Sequence, residues 1–397
     1  METRKRLALI TNHWGWRSHA NHMGERFLHG YPLDGKWHRP EMDIAGVYVD
    51  QIAEDDLSRK RAEDHGFTIY PTIAEAVCLG TGALAVDGVL LIGEHGDYPV
   101  NEKGQKLYPR YEFFSQIIEV FRASDRAVPV FNDKHLSYSF DKAQQMVVAG
   151  RELKFPLLAG SSLPVTFRLP PLELPLDCEI EDALMVGVGN SDAMDYHALE
   201  AMQCMVERRV GGETGVLAVQ LVDGDEVWRA GSDGRWSRRL LEAALARSDS
   251  RSGIGLSDGR PQDLVHSGEL EQLVENPSAY FIEYSDGTRA TLLMLNGAVQ
   301  DYTFAADLRG LTDPVSTQFL LPPPPNVTYS ACLMAKAEEM FTSGVAPYPV
   351  ERTLLVCGIL ERCLESRFEG HRRLQTPELN VTYQTPYSSH FFGAIED

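Results

Sequence analysis

Short apolar runs alternate with amphipathic stretches along the first part of the chain. Apolar, β-branched-rich runs at 7–10, 44–49, 67–70, 88–92, 128–131 and 155–159 predict buried strands. Between them, 18–28, 57–65, 72–77, 111–123 and 140–153 carry apolar residues at helical spacing. Ser139 stands as an N-cap for the last of these, with Asp141 in its first turn. That alternation predicts a doubly wound parallel sheet. Ligands of open α/β sheets bind at the carboxyl ends of the strands. The polar residues that follow 88–92 and 128–131 are therefore the first place to look for chemistry.

The second part reads differently. The pattern predicts a long helix over 192–209, closed by Gly211-Gly212. Strands are predicted at 216–222, 227–230, 279–284 and 289–295, with Asp286-Gly287 as a two-residue turn between the last two. Residues 248–261 are polar and predict a surface loop. Pro322 to Pro325 predict a stiff connector to two final helices, 329–341 and 350–367. The expected architecture is α/β: a Rossmann-like domain over 1–165, then an α+β domain over 166–397 with a largely antiparallel sheet. In 279–284, Tyr280, Ile282 and Tyr284 share one strand face, and Phe281 and Glu283 the other. If one face covers the domain's helices, the other is left for a partner, which predicts a homo-oligomer through this sheet.

Composition narrows the functional classes. The chain has 397 residues, 43% hydrophobic and 24% charged, with a net charge of −20. That is an ordinary globular balance. A uniform nucleic-acid surface is excluded, because phosphate contact needs clustered Lys and Arg. No apolar run approaches the roughly 20 residues of a membrane span, and the N-terminus has no apolar signal core. A cytoplasmic protein is expected. Six cysteines are scattered without a C-x-x-C pair, so no disulfide framework is predicted.

Candidate chemistry sits at strand ends. Asp133-Lys134-His135 follows the run at 128–131, and a lysine there can act if burial or nearby charge tunes it. Glu94, His95 and Asp97 follow 88–92, and Tyr108 and Arg110 continue that loop. They are read as contacts to substrate hydroxyls, with a divalent ion as the alternative occupant. The plain alternative for both clusters is a solvated, ion-paired loop.

The segment 128–162, with its strand ending in Asp133-Lys134-His135, its helix, and its strand ending in Gly160-Ser161, resembles the Gfo/Idh/MocA family of sugar and polyol dehydrogenases. Members carry Glu-Lys-Pro at the first strand end and Gly-Ser or Gly-Tyr at the second. The resemblance extends to 43–50, 67–78, 86–92 and 343–367, so it covers most of the chain. It implies the two-domain fold, with the C-terminal helix packing back on the first domain. It also implies an NAD(P)-dependent oxidoreductase for a carbohydrate or polyol hydroxyl. Lys134 falls on the family's catalytic lysine, and His135 stands where the family has proline. Gly187 to His197 resembles the glycine-rich stretch ending in Asp-x-Gly-x-His. His197 matches its histidine, while Ala193 holds the acid's position and Asp192 and Asp195 flank it. Lys134, His135, Asp195 and His197 are the catalytic candidates that follow.

The nucleotide loop departs from the family. A dinucleotide binder needs G-x-G-x-x-G after its first strand, so that backbone can approach the pyrophosphate. Thr11, His13 and Trp16 hold those three positions here. His19 matches a histidine found after the family's loop, and Asp50 matches the ribose-binding acid. Asp50, His13 and His19 are thus the candidate cofactor contacts, with weak or atypical NAD(P) binding expected. The altered loop also opens an alternative function, a lyase, isomerase or hydrolase on a sugar-like substrate. A non-catalytic relative is disfavoured, since it would have no use for Lys134, His197 and a charged 94–97 loop together.

Overall fold

A computed structural model describes residues 4–189, 191–249, 263–321 and 328–393. The predicted loop 248–261 falls largely, and the proline connector wholly, outside these residues. The chain divides into two compact units. Met1–Pro99, Lys106–Ser162 and Pro322–Leu354 form the first; Val100–Gln105, Leu163–Leu321 and Leu355–Asp397 form the second.

The first unit is built on β1 (Lys5–Thr11), a small hairpin β2 (Tyr31–Leu33) and β3 (Lys36–His38), then β4 (Met42–Val49), β5 (Thr68–Ile69), β6 (Gly88–Ile92), β7 (Val130–Asp133) and β8 (Leu157–Gly160). Six of these strands form one sheet in the order β5-β4-β1-β6-β7-β8, parallel throughout. This is the dinucleotide-fold order, with its reversal between β1 and β6. Leu7 to Ile10 and Val89 to Ile92 are fully buried, as an α/β sheet covered on both faces requires. Four helices accompany the sheet: α2 (Ser58–His65), α3 (Ile73–Cys78), α4 (Arg110–Ala123) and α5 (Phe140–Leu153). Ser139 occupies the N-cap of α5 in extended backbone, but its side chain makes no capping bond.

One helix departs from expectation. The helix predicted over 18–28 is a π turn at Ala20–Gly24 followed by the single α-helical turn α1 (Arg26–His29). Glu25 N–H reaches the Ala20 carbonyl at 3.2 Å, the i→i+5 bond of a π turn. Gly24 lies against Leu9, where any Cβ would crowd it, and Gly30 (φ 82°) ends the segment. Apolar periodicity cannot distinguish 3.6 residues per turn from one inserted residue.

In the second unit the sheet has eight strands: β9 (Arg168–Leu169), β10 (Ile180–Gly187), β11 (Val216–Asp223), β12 (Ser278–Tyr284), β13 (Arg289–Met294), β14 (Tyr302–Leu308), β15 (Val315–Phe319) and β16 (Leu374–Gln375). Their order is β16-β11-β12-β13-β10-β14-β15-β9, antiparallel except between β10 and β13. Helix α6 (Asp192–Val206) ends three residues earlier than predicted. It meets one face of the sheet, where the Tyr280 hydroxyl donates to Asp195 (2.5 Å) and the Tyr284 hydroxyl to Gln203 (2.7 Å).

The opposite face is not bare. The strand predicted at 227–230 is part of a helix, α7 (Asp225–Ser232), and α8 (Arg238–Leu245) follows it. Val227 of α7, Leu240 of α8 and Trp236 between them join Phe281 in one apolar cluster. The second unit's own helices therefore meet both faces of β12. Among the described residues no helix is long and apolar enough to cross a membrane.

Candidate functional site

The carboxyl ends of β1, β6 and β7 in the first unit gather a dense set of ionisable side chains. Glu94 lies just beyond β6. It accepts from Lys134 Nζ at 3.0 Å through one oxygen and from Arg110 through the other. All three side chains are almost fully buried. Burial alone would raise the Glu94 carboxyl, but the Lys134 and Arg110 charges beside it hold it well below the usual carboxylate range. Arg110 also contacts His135 Nε2 at 3.2 Å and stacks over the Tyr108 ring.

Asp133, the last residue of β7, meets His19 Nδ1 at 2.5 Å. Burial, and then the Glu94 charge, push Asp133 up to about 6. Burial, and then the Lys134 charge, hold His19 well below its ordinary value. Near pH 7 the pair is thus a carboxylate and a neutral imidazole whose Nδ1–H donates, leaving Nε2 as the basic nitrogen. The His19 ring lies edge-on to His95 (5.0 Å) and His22 (4.8 Å), and burial lowers both.

Backbone conformation aims this cluster. Lys134 (φ 54°) and His95 (φ 70°) both adopt the left-handed region, which is uncommon for side chains of this size. The Lys134 N–H is anchored on the Gly160 carbonyl at 3.1 Å. Among the described residues the cis peptide is Leu169–Pro170, so the Lys134–His135 bond is trans. The left-handed turn at Lys134, not an X–Pro bond, directs its ammonium to Glu94.

Among the described residues, the buried atoms around the cluster that have no hydrogen-bond partner include Asp133 Oδ1, His95 Nε2, Asn12 Oδ1 and Asn132 Oδ1. Buried polar groups are nearly always paired. Such orphans at the ends of three neighbouring strands are what a hydroxyl-rich ligand would satisfy.

The remaining candidates have surroundings of their own. Asp97 is exposed, and its backbone pairs with the Gln51 amide. His13 pairs with Asp55 at 3.5 Å. Asp195 and His197 belong to α6 of the second unit. His197 is half-buried there, and Asp195 is buried under Tyr280. Burial pushes the Asp195 carboxyl up to about 7. A carboxyl raised on folding contributes fully to stability below about pH 4 and loses that contribution as pH rises through about 7. Asp133 acts with the same sign up to about pH 6. Asp195→Asn should therefore shrink the loss of thermal stability between pH 5 and 8 without abolishing it. Melting curves across that range read this directly, and an unchanged profile would contradict it.

The loop after β1 and the turn that follows it do not fit a dinucleotide's pyrophosphate, and the acid after β4 is already engaged. Trp14 fills the loop after β1: it is fully buried, stacks on Phe67 (centroids 5.8 Å apart) and donates to Glu25 at 3.1 Å. Gly15 faces Asp55 and His13, where a Cβ would collide, so its freedom is spent on packing and not on a phosphate. The π turn at Ala20–Gly24 replaces the long helix whose N-terminal N–H groups would cradle a pyrophosphate. Asp50 already accepts from Tyr48 (2.8 Å) and Tyr98 (2.7 Å), one hydroxyl on each carboxylate oxygen. A divalent ion fares no better, since among the described residues no three His, Cys, Asp or Glu are placed to hold one.

His22 was missed from sequence. Its Nδ1 lies 2.6 Å from the buried Ser330 hydroxyl, in the helix Thr328–Ser343. The His19-x-x-His22 spacing, one face of a helical turn, was the available signal. Trp16 and Trp37 were likewise not read as site residues. Both are exposed, at 64% and 57%, and both line a cavity beside His22.

No family profile and no curated protein matches the sequence. Solved structures do match the fold. GenD2 from gentamicin A biosynthesis, a structure in complex with NAD, superposes with a TM-score of 0.56 at 14% identity, covering 94% of this chain and 97% of its own. Myo-inositol 2-dehydrogenase from Lactobacillus plantarum gives 0.56 at 10% identity, covering 94% and 99%. Scyllo-inositol dehydrogenase from Lactobacillus casei gives 0.54 at 9%, again covering 94% and 99%. At these identities the likeness establishes architecture: the chain has the Gfo/Idh/MocA-type dehydrogenase fold that its sequence resembles.

Proposed function

We propose that the strand-end cluster of the first unit is a proton-transfer site for a small polyhydroxylated substrate, a sugar or polyol, and that it holds NAD(P) weakly or not at all. The observation that carries this reading is the set of orphaned polar atoms around two charged groupings, His19–Asp133 and Lys134–Glu94–Arg110. Substrate hydroxyls would pair with Asn12, Asn132 and His95. His19 Nε2 would take a proton, with Asp133 holding the ring in the required tautomer. Lys134 and Arg110 would stabilise negative charge developing on a substrate oxygen, in a site dry enough for that to matter. Glu94 would position both cations. The reaction classes that need only these groups are isomerisation and elimination.

A second reading, oxidation of the same hydroxyl with NAD(P), is favoured by Lys134 standing at the family's catalytic lysine and by the NAD-complexed GenD2 fold. The first reading needs a proton taken from the carbon beside a substrate carbonyl or carboxylate; the second needs the proton of the hydroxyl being oxidised, with hydride leaving to NAD(P), so the nucleotide decides between them. The full chain, incubated in D₂O with pooled aldoses, ketoses, polyols and sugar acids, should transform a substrate or place deuterium on its carbon without nucleotide, as read by NMR. Turnover that appears only after NAD(P) is added would replace the first reading with the second.

A further inference from the structure

The cavity beside His22 in the first unit encloses about 280 Å³. That lies just under the about 300–1,000 Å³ typical of ligand pockets. It has room for one ring with its substituents. Trp16 and Trp37 line it, although indoles so exposed are unusual on a protein surface. Trp37 is fixed by its Nε1–H donating to the His29 carbonyl at 2.8 Å. Tyr329 adds a third ring, 6.3 Å from that of His22. Three aromatic rings in one cavity offer faces for a flat or chair-shaped ring to stack on.

Its charge is just as specific. Arg17 and Arg26 are the lining cations and Glu25 the lining acid. Glu25 is already committed, meeting Arg61 at 3.0 Å and accepting from Asn21 at 2.8 Å and from Trp14. Burial lowers His22 and His29, which are neutral near pH 7. The cavity is therefore net positive in a chain whose net charge is −20. Arg26 is partly desolvated and oriented by its Nε–H donating to the His22 carbonyl at 3.1 Å. A guanidinium held this way matches a carboxylate.

We infer that this cavity binds a small molecule carrying a carboxylate on a six-membered ring, stacked on Trp16 and Trp37 with its carboxylate on Arg26. His22 joins this cavity to the buried dyad. Its ring meets both the cavity and His19, which meets Asp133. A ligand bound there would thus lie one imidazole ring away from the cluster, close enough for its charge to bias the dyad. This last point rests on the function proposed above; the binding itself does not.

Calorimetry and tryptophan fluorescence on the full chain test it with three probes. D-glucuronate is the hydroxylated acid, benzoate the aromatic acid and D-glucose the neutral control. At least one acid should bind at millimolar concentration or tighter and quench fluorescence, with glucose at least about tenfold weaker. The better acid identifies the ligand source. Trp37→Ala and Trp16→Ala, both at exposed positions, should weaken that binding at least about tenfold. Arg26→Lys, which keeps the charge but loses the fork, should weaken it as well. Lys134→Met should leave binding within about threefold while removing turnover, so failure of the proposed function and failure of this inference read out separately. Binding of neither acid, or binding indifferent to both tryptophans and Arg26, would overturn the inference.

Discussion

Glu94→Gln should be among the most damaging single substitutions in the first unit. Glu94 is the shared counter-charge of two buried cations, Lys134 and Arg110. An amide of the same shape leaves both charges buried without a carboxylate. Removing one partner of a buried ionic group costs about 3–5 kcal/mol. Urea denaturation should show a loss of that order, and hydrogen exchange should localise it to 88–95 and 128–136. Adding Lys134→Met to Glu94→Gln removes one stranded charge. The double variant should be more stable than Glu94→Gln alone. A Glu94→Gln protein as stable as the parent would mean that the three groups do not form the buried cluster described.

Lys134→Met should have the opposite balance, a large loss of activity with the fold retained. Glu94 keeps Arg110 as its partner, so no buried charge is stranded. What disappears is the ammonium that would stabilise a developing oxyanion. Losses from such positions are at least ~100-fold in kcat. Steady-state kinetics on whichever carbohydrate proves to be turned over, with circular dichroism to check folding, would measure it. Parental turnover in this variant would remove Lys134 from the mechanism.

Much of the first unit was legible in sequence because its strands are short, apolar and β-branched, buried on both faces. Their ends bear the polar residues that form the cluster; Lys134, Glu94, Arg110 and Asp133 could be named from position, and His19 from the family resemblance. Their pairing could not. That Lys134 reaches Glu94 depends on a left-handed backbone at a non-glycine residue, which no propensity predicts. The exchange of a long helix for a π turn was also invisible, and with it the alignment of His19 and His22. In the second unit Val227 to Ala230 is too short an apolar run to tell strand from helix. It is helix α7, and it shares an apolar cluster with Phe281 on one of the two faces of β12. The missing glycines were plain in sequence, but only the structure places two tyrosine hydroxyls on Asp50 and turns Trp14 into the core against Phe67.

On the proposed function, a dinucleotide-type fold serves acid–base chemistry with its nucleotide loop filled by the protein's own side chains. Calorimetric titration of the full chain with NAD⁺, NADH, NADP⁺ and NADPH tests it most directly. Dissociation constants above about 1 mM are expected for all four. Micromolar binding of any one of them would contradict it and restore the dehydrogenase reading.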